Sequence, residues 1–272
     1  MKQTVKGKGD SMNPFVEKAA KALWEAELNR QPIEPLTQTY ESITVEDSYA
    51  IQQQVKAWKL DSGRRIIGRK IGLTSQAMQN ALGVHEPDFG SLFDDMLLPE
   101  GSLVPYERFL QPKVEAELAF IMKHDLQGPA VHFQDVIQAT AYVVPAFEII
   151  DSRVRDWKIK IQDTVADNAS SGALILGSRG VSVHDVNLRL IGLVLERNGE
   201  VIDTAAGAAV LGHPATAVAW LCNKLATFGE GMKAGDIVLS GSFTRAYEVK
   251  PGDVYSAHFA GVGTVQVGFG SK

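Results

Sequence analysis

The sequence predicts an α+β fold in which a mainly-β core follows a smaller helical N-terminal region. Three observations carry this. Helical spacing is concentrated ahead of Gly63, and beyond about residue 100 short apolar runs alternate with glycine turns. Helical patterns interrupt those runs at only two places, so the regular strand and helix alternation of a doubly wound parallel sheet is missing.

The elements follow in order. Residues 1–12 read as a flexible leader, with Met12 an alternative start. Asn13-Pro14 reads as an N-cap and first-turn proline opening a helix to about Leu28. Thr44 with Asp47 resembles a capping box, and Ile51, Val55 and Trp58 fall on one face of a second helix. After Asp61-Ser62-Gly63, the run Arg64–Gly72 reads as a strand. Residues 13–100 are therefore taken as an N-terminal α/β region and residues 101–272 as the β-rich core. In that core Asn198-Gly199 is a hairpin signal between Ile191–Arg197 and Glu200–Asp203. Ile237–Ser240, Val254–Phe259 and Thr264–Phe269 are further strands, and the helices are placed at about Phe133–Ala141 and Ala215–Phe228.

The chain has 272 residues, 45% of them hydrophobic and 22% charged, which suits a globular protein with a sizeable core. A net charge of −5 without a basic stripe argues against nucleic acid or an anionic membrane as partner, and leaves small molecules as the better expectation. No apolar run is long enough for a membrane span. The single cysteine, Cys222, permits no internal disulfide and suits a reducing cytoplasm; its Ala-rich surroundings mark it as a packed helix residue rather than a nucleophile.

The chemistry centres on Val114–Phe120, an apolar run carrying Glu115 and Glu117, and on Glu148 within apolar Val143–Ile150. In a strand, residues i and i+2 share a face about 7 Å apart, so the two carboxylates project together while Val114, Ala116 and Leu118 point the other way. Two half-buried anions need a proton or a cation. A hard divalent ion, Mg²⁺ or Mn²⁺, is the simplest compensation, with Glu148 as third ligand. Spacing alone leaves open a solvated edge strand with glutamate at alternate positions. Other chemistries lack their motifs. There is no Gly-x-Gly-x-x-Gly or Walker run, Gly241-Ser242 lacks a nucleophile elbow, and the six histidines are scattered.

Four segments carry a resemblance. They are Gly68–Thr74, Glu86–Gly90 with Leu92–Met96, Gln111–Glu117, and the long Asp151–Ser170 stretch. Together they resemble the 2-oxopent-4-enoate (2-hydroxypenta-2,4-dienoate) hydratases of the fumarylacetoacetate hydrolase superfamily, over about Leu23 to Phe269. The resemblance implies a metal site at Glu115, Glu117 and Glu148. It also implies a pocket lysine at Lys70, an acidic loop residue at Asp88, an active-site lysine at Lys160, which close hydratases do not all keep, and a substrate-contacting hydroxyl at Ser242. The implied reaction is metal-dependent hydration of a short 2-hydroxydienoate to 4-hydroxy-2-oxopentanoate in meta-cleavage aromatic catabolism, by a homo-oligomer able to form a complex with a 4-oxalocrotonate decarboxylase. Three rival readings are such a decarboxylase itself, a carbon–carbon bond hydrolase using His85-Glu86, and a catalytically silent scaffold for a decarboxylase.

Overall fold

The computed structural model describes residues 14–270, so the leader at 1–12 and the Asn13 cap lie outside the described residues. The first helix, α1 (Phe15–Asn29), turns Val16, Ala19, Ala20 and Leu23 inward at the 3–4 residue spacing of one helical face. It ends at Arg30, whose backbone enters the left-handed region. After the single turn α2 (Leu36–Thr39), the helix α3 (Val45–Asp61) opens on the expected capping box: the Thr44 hydroxyl accepts from the Asp47 amide, and the Asp47 carboxylate accepts from the Thr44 amide. Ile51 and Val55 of α3 close on α1, forming a small helical core of their own.

The chain then enters the sheets through β1 (Ile66–Gly72), α4 (Gln76–Leu82) and β2 (Asp88–Phe93). Two short strands follow, β3 (Leu97–Leu98) and β4 (Leu103–Pro105), and then the long β5 (Pro112–Met122). The next elements are α5 (Phe133–Ala139), β6 (Thr140–Asp151), α6 (Ile161–Ala166) and β7 (Ser171–Leu176). The hairpin β8 (Gly192–Arg197) and β9 (Glu200–Ala206) turns at Asn198-Gly199, both in the left-handed region as that turn requires. The chain closes with α7 (Pro214–Ala226), β10 (Ile237–Leu239), β11 (Tyr247–Glu248), β12 (Val254–Phe259) and β13 (Gly263–Gly270).

These strands make two mixed sheets. The larger runs β2-β1-β10-β5-β6-β7-β3 with β11 also on β5, and the smaller runs β4-β13-β12-β8-β9. The main core lies between them: Val114, Ala116, Leu118 and Phe120 on one face of β5 meet Leu193, Leu195, Tyr255, Ala257, Val265 and Val267 of the smaller sheet, and α7 adds Val218, Leu221 and Cys222. Alternation therefore leaves the opposite face of β5 to Lys113, Glu115 and Glu117. The fold class agrees with the α+β expectation. The sequence missed α4 and α6, each too short to show a helical period.

A buried ion pair fixes the loop that follows α6. Arg153 donates to an Asp167 carboxylate oxygen and to the Asp167 and Ser171 carbonyls, and the Asp167 carboxylate accepts from the Arg153 amide. Asn168, Ala169 and Ser170 then run in the left-handed region, a strained turn for non-glycine residues that the surrounding bonds must hold. The Asn168 amide group spans Ser91 of β2, accepting from its N–H and donating to its carbonyl. Replacing Arg153 by methionine should cost roughly 3–5 kcal/mol, the usual consequence of leaving one member of a buried pair uncompensated. Urea denaturation of Arg153→Met at neutral pH measures this; a loss below about 1 kcal/mol would mean that the turn holds itself.

Candidate active site

The paired strands β5 and β6 build the centre of the site. Their antiparallel register sets Glu115 directly opposite Glu148, with Glu117 one step further along the same face of β5. One carboxylate oxygen from each of the three falls within 4.8 Å of the others. Glu117 and Glu148 are fully buried and Glu115 is half-buried. One Glu117 oxygen accepts from the Gly241 N–H at 2.7 Å, while its other oxygen and both of Glu148 have no hydrogen-bond partner. Gly241 needs to be glycine here: its φ is +106°, and a Cβ would run into Thr74.

Lys70 of β1, also buried, places its ammonium 3.4 Å from Glu148 and donates to the Ala169 carbonyl at 3.0 Å. The first distance is an ion-pair contact rather than a hydrogen bond, consistent with the unpartnered Glu148 oxygens. Asp88 begins β2 opposite Gly72 and is likewise buried. Its Oδ2 accepts from the Thr164 hydroxyl at 3.2 Å, whereas Oδ1 is unpartnered and sits where a side chain on Gly72 would have to go. A glycine at 72 is thus what leaves room for the Asp88 carboxylate.

Glu115, Lys70 and Asp88 line one cavity of about 300 Å³, which also takes in Ser242, Thr164, Trp157, Lys113 and Arg245, while Glu117 and Glu148 lie buried beside Glu115. The Ser242 hydroxyl is unpartnered. Of the site residues expected from sequence, Lys160 alone is exposed and away from the carboxylate cluster: its side chain is outside the cavity lining, and its backbone N–H caps α6 by donating to Asp163. His85 and Glu86 line a separate hollow beside Tyr49, and Glu86 is paired with Lys224. Trp157, Thr164, Lys113 and Arg245 were not singled out from sequence. The i−2 position of Lys113 relative to Glu115 is the one local signal that would have found any of them.

The charges explain what the site needs. Burial pushes the Glu148 carboxyl up to about 8 against the opposing pull of Lys70. Burial and the repulsion of its two neighbours raise Glu117 well above the carboxylate range, and burial raises Glu115 and Asp88. Burial alone would lower Lys70, but Glu148, Asp88, Glu115 and Glu117 outweigh it and hold the ammonium charged. Three glutamates and an aspartate around one buried ammonium leave an excess of negative charge. Unpartnered carboxylate oxygens converging within coordination reach of one another are the donor set a hard divalent cation takes.

Residues 66–269 match the fumarylacetoacetate (FAA) hydrolase C-terminal family. The chain belongs to the fumarylacetoacetate hydrolase family. Among its relatives, the 2-keto-4-pentenoate hydratase of Paraburkholderia xenovorans (strain LB400) is 48% identical over 94% of this chain and 95% of its own length. The 2-hydroxyhexa-2,4-dienoate hydratase of Comamonas testosteroni is 43% identical over 94% and 97%. Among solved structures, the 4-oxalocrotonate decarboxylase from Pseudomonas putida G7, complexed with magnesium and adipate, superposes with a TM-score of 0.91 at 41% identity, covering 94% of this chain and 97% of that one. This family member has no helix among its described residues long and apolar enough to cross a membrane.

The raised glutamates have a linked consequence for stability. Between an unfolded value of 4.5 and a folded value of about 8, the folded Glu148 carboxyl keeps a proton that the unfolded chain has lost. The unfolded state binds fewer protons there, so the metal-free protein should lose stability as pH rises through that window. A divalent ion relieves the same repulsion by competing with the proton. Thermal melts should therefore show a larger upward shift on adding Mg²⁺ at pH 8 than at pH 6; equal shifts would place the ion elsewhere.

Proposed function

We propose that this chain is a metal-dependent hydro-lyase that adds water to 2-hydroxypenta-2,4-dienoate, giving 4-hydroxy-2-oxopentanoate. The observation that carries the reading is the convergence of Glu115, Glu117 and Glu148 beside a cavity that Glu115, Lys70 and Asp88 line, in a chain whose relatives bear hydratase names along nearly their whole length. Mg²⁺ or Mn²⁺, held by the three glutamates, supplies a Lewis acid for the substrate's carboxylate and 2-oxygen.

The chain's own residues do the rest. Lys70, kept charged by its neighbours, holds the substrate carboxylate. Asp88, whose carboxyl burial raises above its ordinary range, gives a proton to C5 of the dienol from the unpartnered Oδ1, and then recovers one from the water whose oxygen bonds to C4. The proton lost by the 2-hydroxyl on ketonisation balances the one C3 gains when the enolate collapses. The Thr164 hydroxyl keeps Oδ2 occupied so that Oδ1 is the working atom. Ser242 contacts substrate through its free hydroxyl. Cytoplasmic residence fits the lone buried thiol. Assembly into a homo-oligomer, able to associate with a 4-oxalocrotonate decarboxylase, fits the exposed Leu103, Leu190 and Val201.

The roles of Lys70 and Asp88 separate kinetically. Lys70→Ala should raise KM by removing binding common to ground and transition states. Asp88→Asn should lower kcat by roughly 10²–10⁴-fold, the usual contribution of a positioned acid or base, with metal affinity unchanged. Near-normal turnover in Asp88→Asn would move proton transfer to another group.

Metal dependence and reaction type have their own tests. Glu117→Gln should weaken metal binding while leaving the metal-free fold neutral or slightly more stable, since the amide oxygen can still accept from Gly241 and one repelling charge is gone. Calorimetric titration and denaturation of the same variant measure both. With 2-oxo-3-hexenedioate, the purified chain should release no carbon dioxide; substantial release would make it a decarboxylase.

A further inference from the structure

Asp88 and Thr164 meet across two elements that no strand pairing holds together. β2, which begins with Asp88, ends the larger sheet, so its outward backbone groups have no strand to pair with. α6, which carries Thr164, is six residues long, and the carbonyls of its last turn have no partner within the helix. Side-chain amides meet both needs. Asn168 takes the N–H and the carbonyl of Ser91 on the outer side of β2. Two residues nearer Asp88, the Phe89 carbonyl faces the same way and accepts from Gln52 Nε2 at 2.9 Å. The other hydrogen of that nitrogen goes to the Val165 carbonyl of α6, also at 2.9 Å.

Gln52 is a buried residue of α3 that does not line the cavity. Its one nitrogen joins β2 to α6 a single residue away from each partner of the contact, since Phe89 follows Asp88 and Val165 follows Thr164. At the start of α6, Asp163 accepts from the Thr37 amide at 3.1 Å and from the Thr37 hydroxyl at 2.8 Å, so the helical layer grips α6 at both ends. The contact leaves little slack. The Thr164 hydroxyl reaches Asp88 Oδ2 at 3.2 Å, long for a hydroxyl donor, and Oδ1 is unpartnered. An outward shift of α6 from β2 loses this bond and frees the carboxyl to rotate.

We propose that Gln52 is a positioning residue for proton transfer: by clamping Phe89 and Val165 it holds Thr164 on Asp88 Oδ2, and so keeps Oδ1 as the atom that gives and recovers the proton. This rests on the hydratase reading and on the part Asp88 plays in it. On that reading the substrate carboxylate and the metal are held elsewhere, by Lys70 of β1 and by the glutamates of β5 and β6. Loss of the clamp therefore lowers kcat and leaves KM and metal affinity as they are, because it removes an alignment that matters only in the transition state.

The test is a double-mutant cycle between Gln52→Met and Asp88→Asn in the full chain with Mg²⁺. Methionine keeps the volume of Gln52 and removes both donated bonds. Folded sites are counted by calorimetric titration with 2-oxopentanoate, an unreactive saturated probe whose Kd should stay within about twofold of the wild-type value. With 2-hydroxypenta-2,4-dienoate, kcat per folded site should fall roughly 10–100-fold in Gln52→Met, the order of loss that misplacing a catalytic group by about 1 Å brings. In the Asp88→Asn background, where no acid is left to aim, the same substitution should cost less than about twofold. Should Gln52→Met fail to fold, Gln52→Asn carries the same comparison, since it withdraws the amide by one methylene and leaves a polar group that water can bridge. Full kcat in the folded variant, a rise in KM in place of a fall in kcat, or losses that add in the double variant would each overturn the positioning role and leave the hydratase reading standing. No water addition by the wild-type chain would instead sink the hydratase reading, and the role of Gln52 with it.

Discussion

The register between β5 and β6 is the constraint on which the rest of the site depends, because it sets Glu115 against Glu148 across a strand pair whose other face is the main core. Like charges directly opposite each other in a sheet are destabilising, and here they are also buried. A slip of one residue would turn both glutamates into the core of Val114, Ala116 and Leu118, which is far more costly than the repulsion itself. Hydrophobic burial on one face therefore holds the anions in place on the other. Their repulsion is what a proton, Lys70 or a divalent ion must offset.

The surrounding elements can be understood as compensation for that placement. Lys70 comes from β1, reached through β10, and bonds the carbonyl of Ala169 in the left-handed turn. Arg153 and Asp167 anchor that turn from behind, and Asn168 ties it to β2, the strand that carries Asp88. Gln52 of α3 donates to the carbonyls of Phe89 and Val165, joining the helical layer to the same corner. The helical region thus stands behind Asp88 and Thr164 and fixes them, while the strands of the larger sheet supply the metal-type ligands.

The cavity wall combines the Glu115 and Asp88 carboxylates and the Lys70 ammonium with the apolar Ile150 and Ile159, and with Lys113 and Arg245, each over an aromatic ring.

Local patterning decided much by itself. The alternation of Val114 through Leu118 fixed which side of a strand the glutamates take, the Thr44 and Asp47 pair fixed where α3 begins, and Asn198-Gly199 fixed a hairpin. Each is a short-range effect of strand period, capping or turn geometry, legible wherever a few consecutive residues suffice. The resemblance in the Asp151–Ser170 stretch marked the region that becomes the strained turn, but not the reason for it. What tertiary structure decided is everything that crosses the chain: that Lys70 and Asp88 line one cavity beside Gly72, that Lys160 is exposed while Trp157 and Thr164 line the cavity, and that Arg245 joins Lys113 in its wall. Those placements depend on strand order and on loops whose conformations are set by distant hydrogen bonds, and no local period encodes them.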